Sequence, residues 1–157
     1  MKMIKTRFAP SPTGYLHVGG LRTALYCYLF ARKNKGKFLL RIEDTDQERY
    51  VEGAIPNLIK TLKWIGLVYD EGPTLEENDK GSYGPYIQSQ RTKIYKKYWD
   101  KLLETGHAYR CFCSKERLEK MRKKQIERKE APMYDRKCLD LPESEIKEKL
   151  KRDEKFV

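Results

Sequence analysis

The chain has 157 residues, enough for one ordinary domain or for one domain with part of a second. It is 36% charged and 39% apolar with a net charge of +11, so a core can form under a heavily ionic surface. That charge fits either a polyanionic partner, nucleic acid foremost, or a lysine-rich solvated surface. No apolar run approaches the ~20 residues of a membrane span, no apolar stretch of a signal peptide opens the chain, and four cysteines make no disulfide framework, so the expected setting is cytoplasmic with reduced thiols.

In chain order, residues 4–8 are predicted as a short buried strand. Residues 20–33 follow as a helix, with Leu21, Ala24, Leu25, Tyr28, Leu29 and Ala31 near a 3.6 spacing. Residues 37–42 (KFLLRI) form a second strand, parallel to the first through a right-handed crossover. Residues 52–65 make a second helix with Ile55, Leu58, Ile59, Leu62 and Ile65 on one face, closed by Gly66. Residues 67–69 complete a βαβαβ pattern, one mononucleotide-binding half of a doubly wound parallel sheet. Residues 72–85 form a surface loop. A helix over 91–104, with Ile94, Tyr95, Tyr98 and Leu102 inward, leads to a strand over 108–112. Ser114 caps a charged helix over 115–129, and a last helix covers 141–151 with Pro142 in its first turn. Phe156 and Val157 open a further strand.

Charge is uneven along the chain. Residues 1–90 hold 13 Lys+Arg against 10 Asp+Glu, a net of +3, while residues 91–157 hold 21 against 13, a net of +8. Tyr86, Tyr95, Tyr98, Trp99 and Tyr109 lie among these basic residues, but their helical spacing favours core positions. The Lys and Arg of 115–129 are better phosphate contacts.

Residues 7–20 read RFAPSPTGYLHVGG: a strand, a constrained loop and a helix start. A helix N-terminus offers unpaired N–H groups and partial positive charge, which suit a phosphate. Pro10 and Pro12 stiffen the loop. Gly14, Gly19 and Gly20 are expected to permit tight turns and close approach of a ligand. Neither a P-loop nor a dinucleotide glycine motif is present. Arg7 at a strand end can hold a carboxylate and Glu43 an ammonium group, or the two can simply pair across adjacent strands. Asp44 and Asp46 are expected as caps and as ion-pair partners of Arg41 or Arg49. Cys111, Cys113 and Cys138 cluster as C-x-C, 24 residues, then Cys, which suits zinc or three unlinked small side chains.

The run 7–32, RFAPSPTGYLHVGGLRTALYCYLFAR, resembles the class I aminoacyl-tRNA synthetase signature in its glutamyl form, with HVGG (17–20) in the place of the family's "HIGH" motif. RIEDTD (41–46), DEGP (70–73), GPYIQSQR (84–91) and CFCSKERLE (111–119) extend that resemblance to essentially the whole chain. It implies an α/β chain in two parts. Residues 1–92 would be the N-terminal half of a Rossmann catalytic domain, and 93–157 part of an inserted acceptor-stem-binding domain. The chain then reads as the N-terminal fragment of a longer enzyme, inactive alone, because the family's "KMSKS" loop is missing.

The implied activity is glutamate–tRNA ligation: L-glutamate and ATP with Mg2+ give glutamyl-adenylate, and tRNA(Glu) accepts the glutamyl group. A monomer without membrane association is expected. By the same resemblance, Arg7, Ala9, Ser11 and Glu43 contact glutamate. Pro12, Thr13, Gly14, His17, Gly19 and Gly20 contact ATP, with His17, Gly19 and Gly20 as the catalytic motif. His17 would stabilise developing charge rather than move a proton. Gly20 stands where the generic motif has a second His, as the glutamyl branch tolerates. The resemblance also supports structural Zn2+ on Cys111, Cys113 and Cys138. Asp140 stands where some relatives have a fourth-ligand His, and Tyr134 is the alternative fourth ligand, as in the related glutamyl-queuosine enzyme. Two other functions remain open at this point: a glutamyl-Q tRNA(Asp) synthetase, and a zinc-bearing RNA-binding module without catalysis.

Overall fold

The computed structural model describes residues 3–76 and 78–157. It divides into two compact units, 1–96 and 97–157.

In the first unit, β1 (Lys5–Phe8) runs parallel to β2 (Lys37–Leu40), with Lys5 opposite Lys37 and Phe8 opposite Leu40. The crossover is α1 (Val18–Lys33), as a parallel pair requires. Backbone bonds carry the ladder past both strand ends: Arg41 N–H donates to Phe8 C=O at 3.0 Å and Glu43 N–H to Pro10 C=O at 2.9 Å. The helix α2 (Ala54–Trp64) stops where Leu67 N–H reaches back to Leu62 C=O at 2.9 Å, a closure that satisfies an orphan carbonyl. Phe8, Ala24, Ala31, Phe38, Leu40, Ile42, Leu58, Ile59, Leu62 and Leu67 form the core. Tyr28 packs edge-on to Phe38 with ring centroids 5.7 Å apart.

Burial on the strands alternates. Phe38, Leu40, Ile42 and Asp44 are buried, while Lys37, Leu39, Arg41 and Glu43 between them are only half-buried. Successive strand side chains point to opposite faces, so Arg41 and Glu43 share the open one.

The third strand does not form where it was expected. The chain next to β2 pairs at Asp70 and Glu71: Asp70 N–H donates to Phe38 C=O at 2.8 Å, and Leu40 N–H to Glu71 C=O at 2.9 Å. Asp70 and Glu71 replace Leu67–Tyr69 there because their carboxylates have partners of their own. Asp70 takes Arg32 and the Phe38 amide, both at 2.7 Å. Glu71, 2% exposed, accepts from Lys5 (3.0 Å), Lys37 (3.1 Å) and the Tyr86 hydroxyl (2.9 Å). Burial pushes the Glu71 carboxyl up, but these donors outweigh it and hold the group below the usual carboxylate range. The DEGP run thus fastens the sheet. Residues 72–85 also hold one antiparallel bridge, Gly72 to Lys80.

Two helical faces differ from expectation. In α1 the buried residues are Ala24 and Ala31, with Leu25 and Leu29 exposed. In α3 (Thr92–Glu104) no residue is buried, and Ile94, Tyr98, Trp99 and Leu102 are exposed. The 3.6 spacing makes these helices, but burial needs an opposing surface, which the described residues do not supply there.

The second unit holds α4 (Lys115–Glu127) and α5 (Glu143–Lys151). Ser114 caps α4 by accepting from Arg117 N–H at 3.2 Å. The strands expected over 108–112 and from Phe156 reduce to one reciprocal backbone pair, Cys111 with Val157, at 2.8 and 3.0 Å. Cys138 is the one buried hydrophobic residue among the described residues of this unit. So small a core calls for another source of order.

Candidate functional site

The carboxyl edge of β1 and β2 gathers three charged side chains. Arg41 Nη2 donates to Glu43 Oε1 at 2.9 Å, and Arg7 Nη2 lies 3.5 Å from the same oxygen. All three are partly exposed, so pairing adds only about 0–1 kcal/mol to stability. The cluster carries one net positive charge and open donors on Arg7, which suits a ligand with carboxylates and an ammonium group. Ala9 is half-buried and Ser11 exposed on the loop that leaves β1. Asp46 pairs with Arg49, as expected of it. Asp44 is buried and accepts the Ser89 amide at 2.8 Å, while the ion-pair partner of Arg41 is Glu43.

The same loop ends in the N-terminus of α1. His17 is the N-cap, and its Nδ1 accepts from Gly19 N–H at 3.1 Å. A nitrogen that accepts holds no proton, so the imidazole proton sits on Nε2 as a donor. Gly19 makes this possible: a Cβ there would come 2.9 Å from His17 Cε1. Residues 12–14 form a bend, and the role shown for Gly19 is to leave room for the His17 ring. Neither Gly14, Gly19 nor Gly20 has a positive φ. Gly14 is in open space, and a Cβ on Gly20 would meet only the flexible end of Leu16. Pro12 is buried and its carbonyl accepts from Val51 N–H at 2.9 Å, and Thr13 beside it is half-buried. With no acidic residue in the first turn of α1, the Val18 and Gly20 amides and the His17 Nε2–H can take an anion, the Gly19 amide being given to His17.

The second unit brings Cys111, Cys113 and Cys138 together, their sulfurs all within 4.8 Å. Cys113 and Cys138 sulfurs are 3.6 Å apart. Tetrahedral zinc with Zn–S bonds of about 2.3 Å sets sulfurs about 3.8 Å apart, so the spacing fits. Tyr134 Oη supplies a fourth polar atom, 3.1 Å from Cys111 Sγ and 3.6 Å from Cys113 Sγ. Asp140 is exposed and lies outside the cluster. His107 bonds Thr105 instead. Burial pushes Cys111 up, but hydrogen bonds from Tyr134 and Cys113 outweigh it and leave the thiol below its ordinary value. Burial raises Cys113, and the bond to Cys111 raises Tyr134. Arg117, ion-paired with Asp135, donates to Cys113 Sγ at 3.4 Å.

Two participants escape a reading of sequence alone. Arg41 is visible only as R-x-E, the spacing that puts both side chains on one strand face. Arg117 follows Cys113 by four residues, across a helix start whose geometry folds it back.

Residues 3–157 match the family described as tRNA synthetases class I (E and Q), catalytic domain. A glutamate–tRNA ligase of Alkaliphilus metalliredigens (strain QYMF) is 54% identical over 160 residues, covering 100% of this chain and 32% of that protein. One from Chlorobium phaeobacteroides (strain DSM 266 / SMG 266 / 2430) is 56% identical over 159 residues, covering 98% and 31%. The crystal structure of a glutamate tRNA ligase from Elizabethkingia meningosepticum CCUG26117 in complex with its amino acid superposes with a TM-score of 0.88. It is 43% identical over 99% of this chain and 32% of that one. The chain thus spans about a third of the length of these relatives. Its parallel βαβ unit is Rossmann-type, and the chain belongs to the class I (E and Q) tRNA synthetase catalytic-domain family.

Proposed function

We propose that this chain contributes the amino-acid and ATP sites of a glutamate–tRNA ligase. The observation that carries this is the Arg7–Glu43–Arg41 cluster on the same sheet edge from which the loop runs into the His17-capped start of α1. Arg7 takes a glutamate carboxylate and Glu43 the ammonium, with Ala9 and Ser11 on the loop between. Pro12, Thr13, Gly14 and Gly19 line the ATP side with the Val18 and Gly20 amides. A carboxylate oxygen of glutamate attacks the α-phosphorus of ATP, the bond to the bridging oxygen breaks, and pyrophosphate leaves with the electron pair. His17 Nε2–H meets the charge that develops on the phosphate, and Mg2+ accompanies ATP. A hydroxyl at the tRNA(Glu) acceptor end then attacks the adenylate carbonyl and AMP leaves.

In the second unit, Cys111, Cys113, Cys138 and Tyr134 are the residues that would hold Zn2+. A closed S3O set leaves no open position, so its role is to order a unit with little core of its own. Lys and Arg of α4 offer phosphate contacts to RNA. Reduced thiols suit a cytoplasmic setting. The relatives described above are named as glutamate–tRNA ligases, which favours this reading over queuosine modification or a non-catalytic module.

Amide NMR titration of this chain tests the proposal. L-Glutamate is expected to shift Arg7, Ser11 and Glu43, and Mg2+·ATP to shift Val18, Gly19 and Gly20. Saturating ligands that leave both sets unmoved would overturn it.

A further inference from the structure

We infer that Arg41 is a positioning residue for recognition of the amino acid's ammonium group. The inference rests on the reading of Glu43 as the ammonium site and says how that carboxylate is prepared. Arg41 holds Oε1 of Glu43 at 2.9 Å, closer than Arg7 at 3.5 Å. Oε2 takes no partner among the described residues. One oxygen is therefore anchored and the other presented, an arrangement that disfavours turning both oxygens onto Arg7. Arg7 in turn keeps donors for a ligand carboxylate.

Arg41 Nε is buried and meets no acceptor among the described residues, a feature it shares with Arg91 and Arg110, so the geometry at Glu43 is what distinguishes it. The ion pair itself adds little stability at this exposure, so fold alone does not explain why a guanidinium stands there. Parity of the strand does: residues 41 and 43 share the open face, at the edge where the ladder to Pro10 brings the loop.

The test compares L-glutamate with glutarate, which lacks the ammonium group, on the 157-residue chain and on Arg41→Gln. The native chain is expected to prefer L-glutamate at least tenfold, about the size of one charge-assisted hydrogen bond. In Arg41→Gln that preference falls to near parity, while circular dichroism stays unchanged. A general loss of structure would weaken both ligands together. A native preference that survives intact in Arg41→Gln overturns this inference and leaves the glutamate site standing. No preference in the native chain overturns both. A second readout needs no variant: the Arg41 Nε–H resonance of the native chain is expected to move with L-glutamate and stay put with glutarate. Equal movement with both ligands, or none with either, overturns the inference.

Discussion

His17 Nδ1 accepts the Gly19 amide proton at 3.1 Å, so the ring is clamped against the helix it caps, with Nε2–H as its donor. The Gly19→Ala variant puts a methyl group 2.9 Å from His17 Cε1 and must displace the ring. We expect Mg2+·ATP affinity to fall about tenfold, the loss of one hydrogen bond to a charged group. Helix content by circular dichroism should not change. Unaltered ATP affinity would show that the clamped ring is not used.

Replacing Glu71 by Gln removes the charge that Lys5, Lys37 and Tyr86 converge on. Both lysines remain partly solvated, so the loss is expected at about 2–3 kcal/mol, below the range for a fully buried pair. Urea unfolding of native chain and variant measures it. A difference under ~0.5 kcal/mol would mean that the lysines hydrate freely once released.

The same carboxylate sets a pH dependence. Its folded-state value lies below its unfolded value, near 4.3. The stabilisation is therefore complete above the unfolded value and disappears as pH falls through the folded one. The stability gap between native chain and Glu71→Gln should be constant above about pH 6 and narrow steadily below about pH 4.3. Asp70, also held low by Arg32, is common to both proteins and cancels in the difference. A gap that widens on acidification would contradict the assignment.

For the cysteine cluster, Tyr134→Phe is expected to weaken zinc binding at least about tenfold in chelator competition, while Asp140→Ala leaves it unchanged. Cobalt substitution should give the absorption of a tetrahedral site with three sulfurs. The reverse ranking of the two variants would make Asp140 the ligand.

The hydrophobic period makes β2 and α2 legible with their buried faces, whereas α1 forms with Leu25 and Leu29 exposed, and of the strand expected to be buried over 4–8 only Phe8 is buried. The period misplaces the third sheet position. Leu67–Tyr69 has the apolar character of a strand, yet the backbone bonds fall to Asp70 and Glu71, whose partners Arg32, Lys5 and Lys37 lie more than 30 residues away. No local pattern reports such partners. The cysteine spacing was readable, and so were both candidates for its fourth position. What spacing does not report is the local turn, which brings Tyr134 Oη beside the cysteine sulfurs and leaves Asp140 outside the cluster. The sequence offers Asp44 as a partner for Arg41, but strand parity sends Asp44 into the interior and leaves Glu43 beside Arg41.

That parity constrains how the RFAPSP segment can vary in length. Odd and even positions of residues 37–44 are sorted strictly between open face and interior, and Arg7 faces out while Phe8 faces in. Backbone bonds at Phe8 and Pro10 carry the same frame into the loop. A single-residue insertion between Phe8 and Pro10 would invert the facing of the extended residues that follow, turning the polar Ser11 inward and a proline outward. A two-residue insertion would restore the frame and lengthen only the reach. Length changes tolerated here should come in pairs, as tabs of a zip fastener engage or fail together.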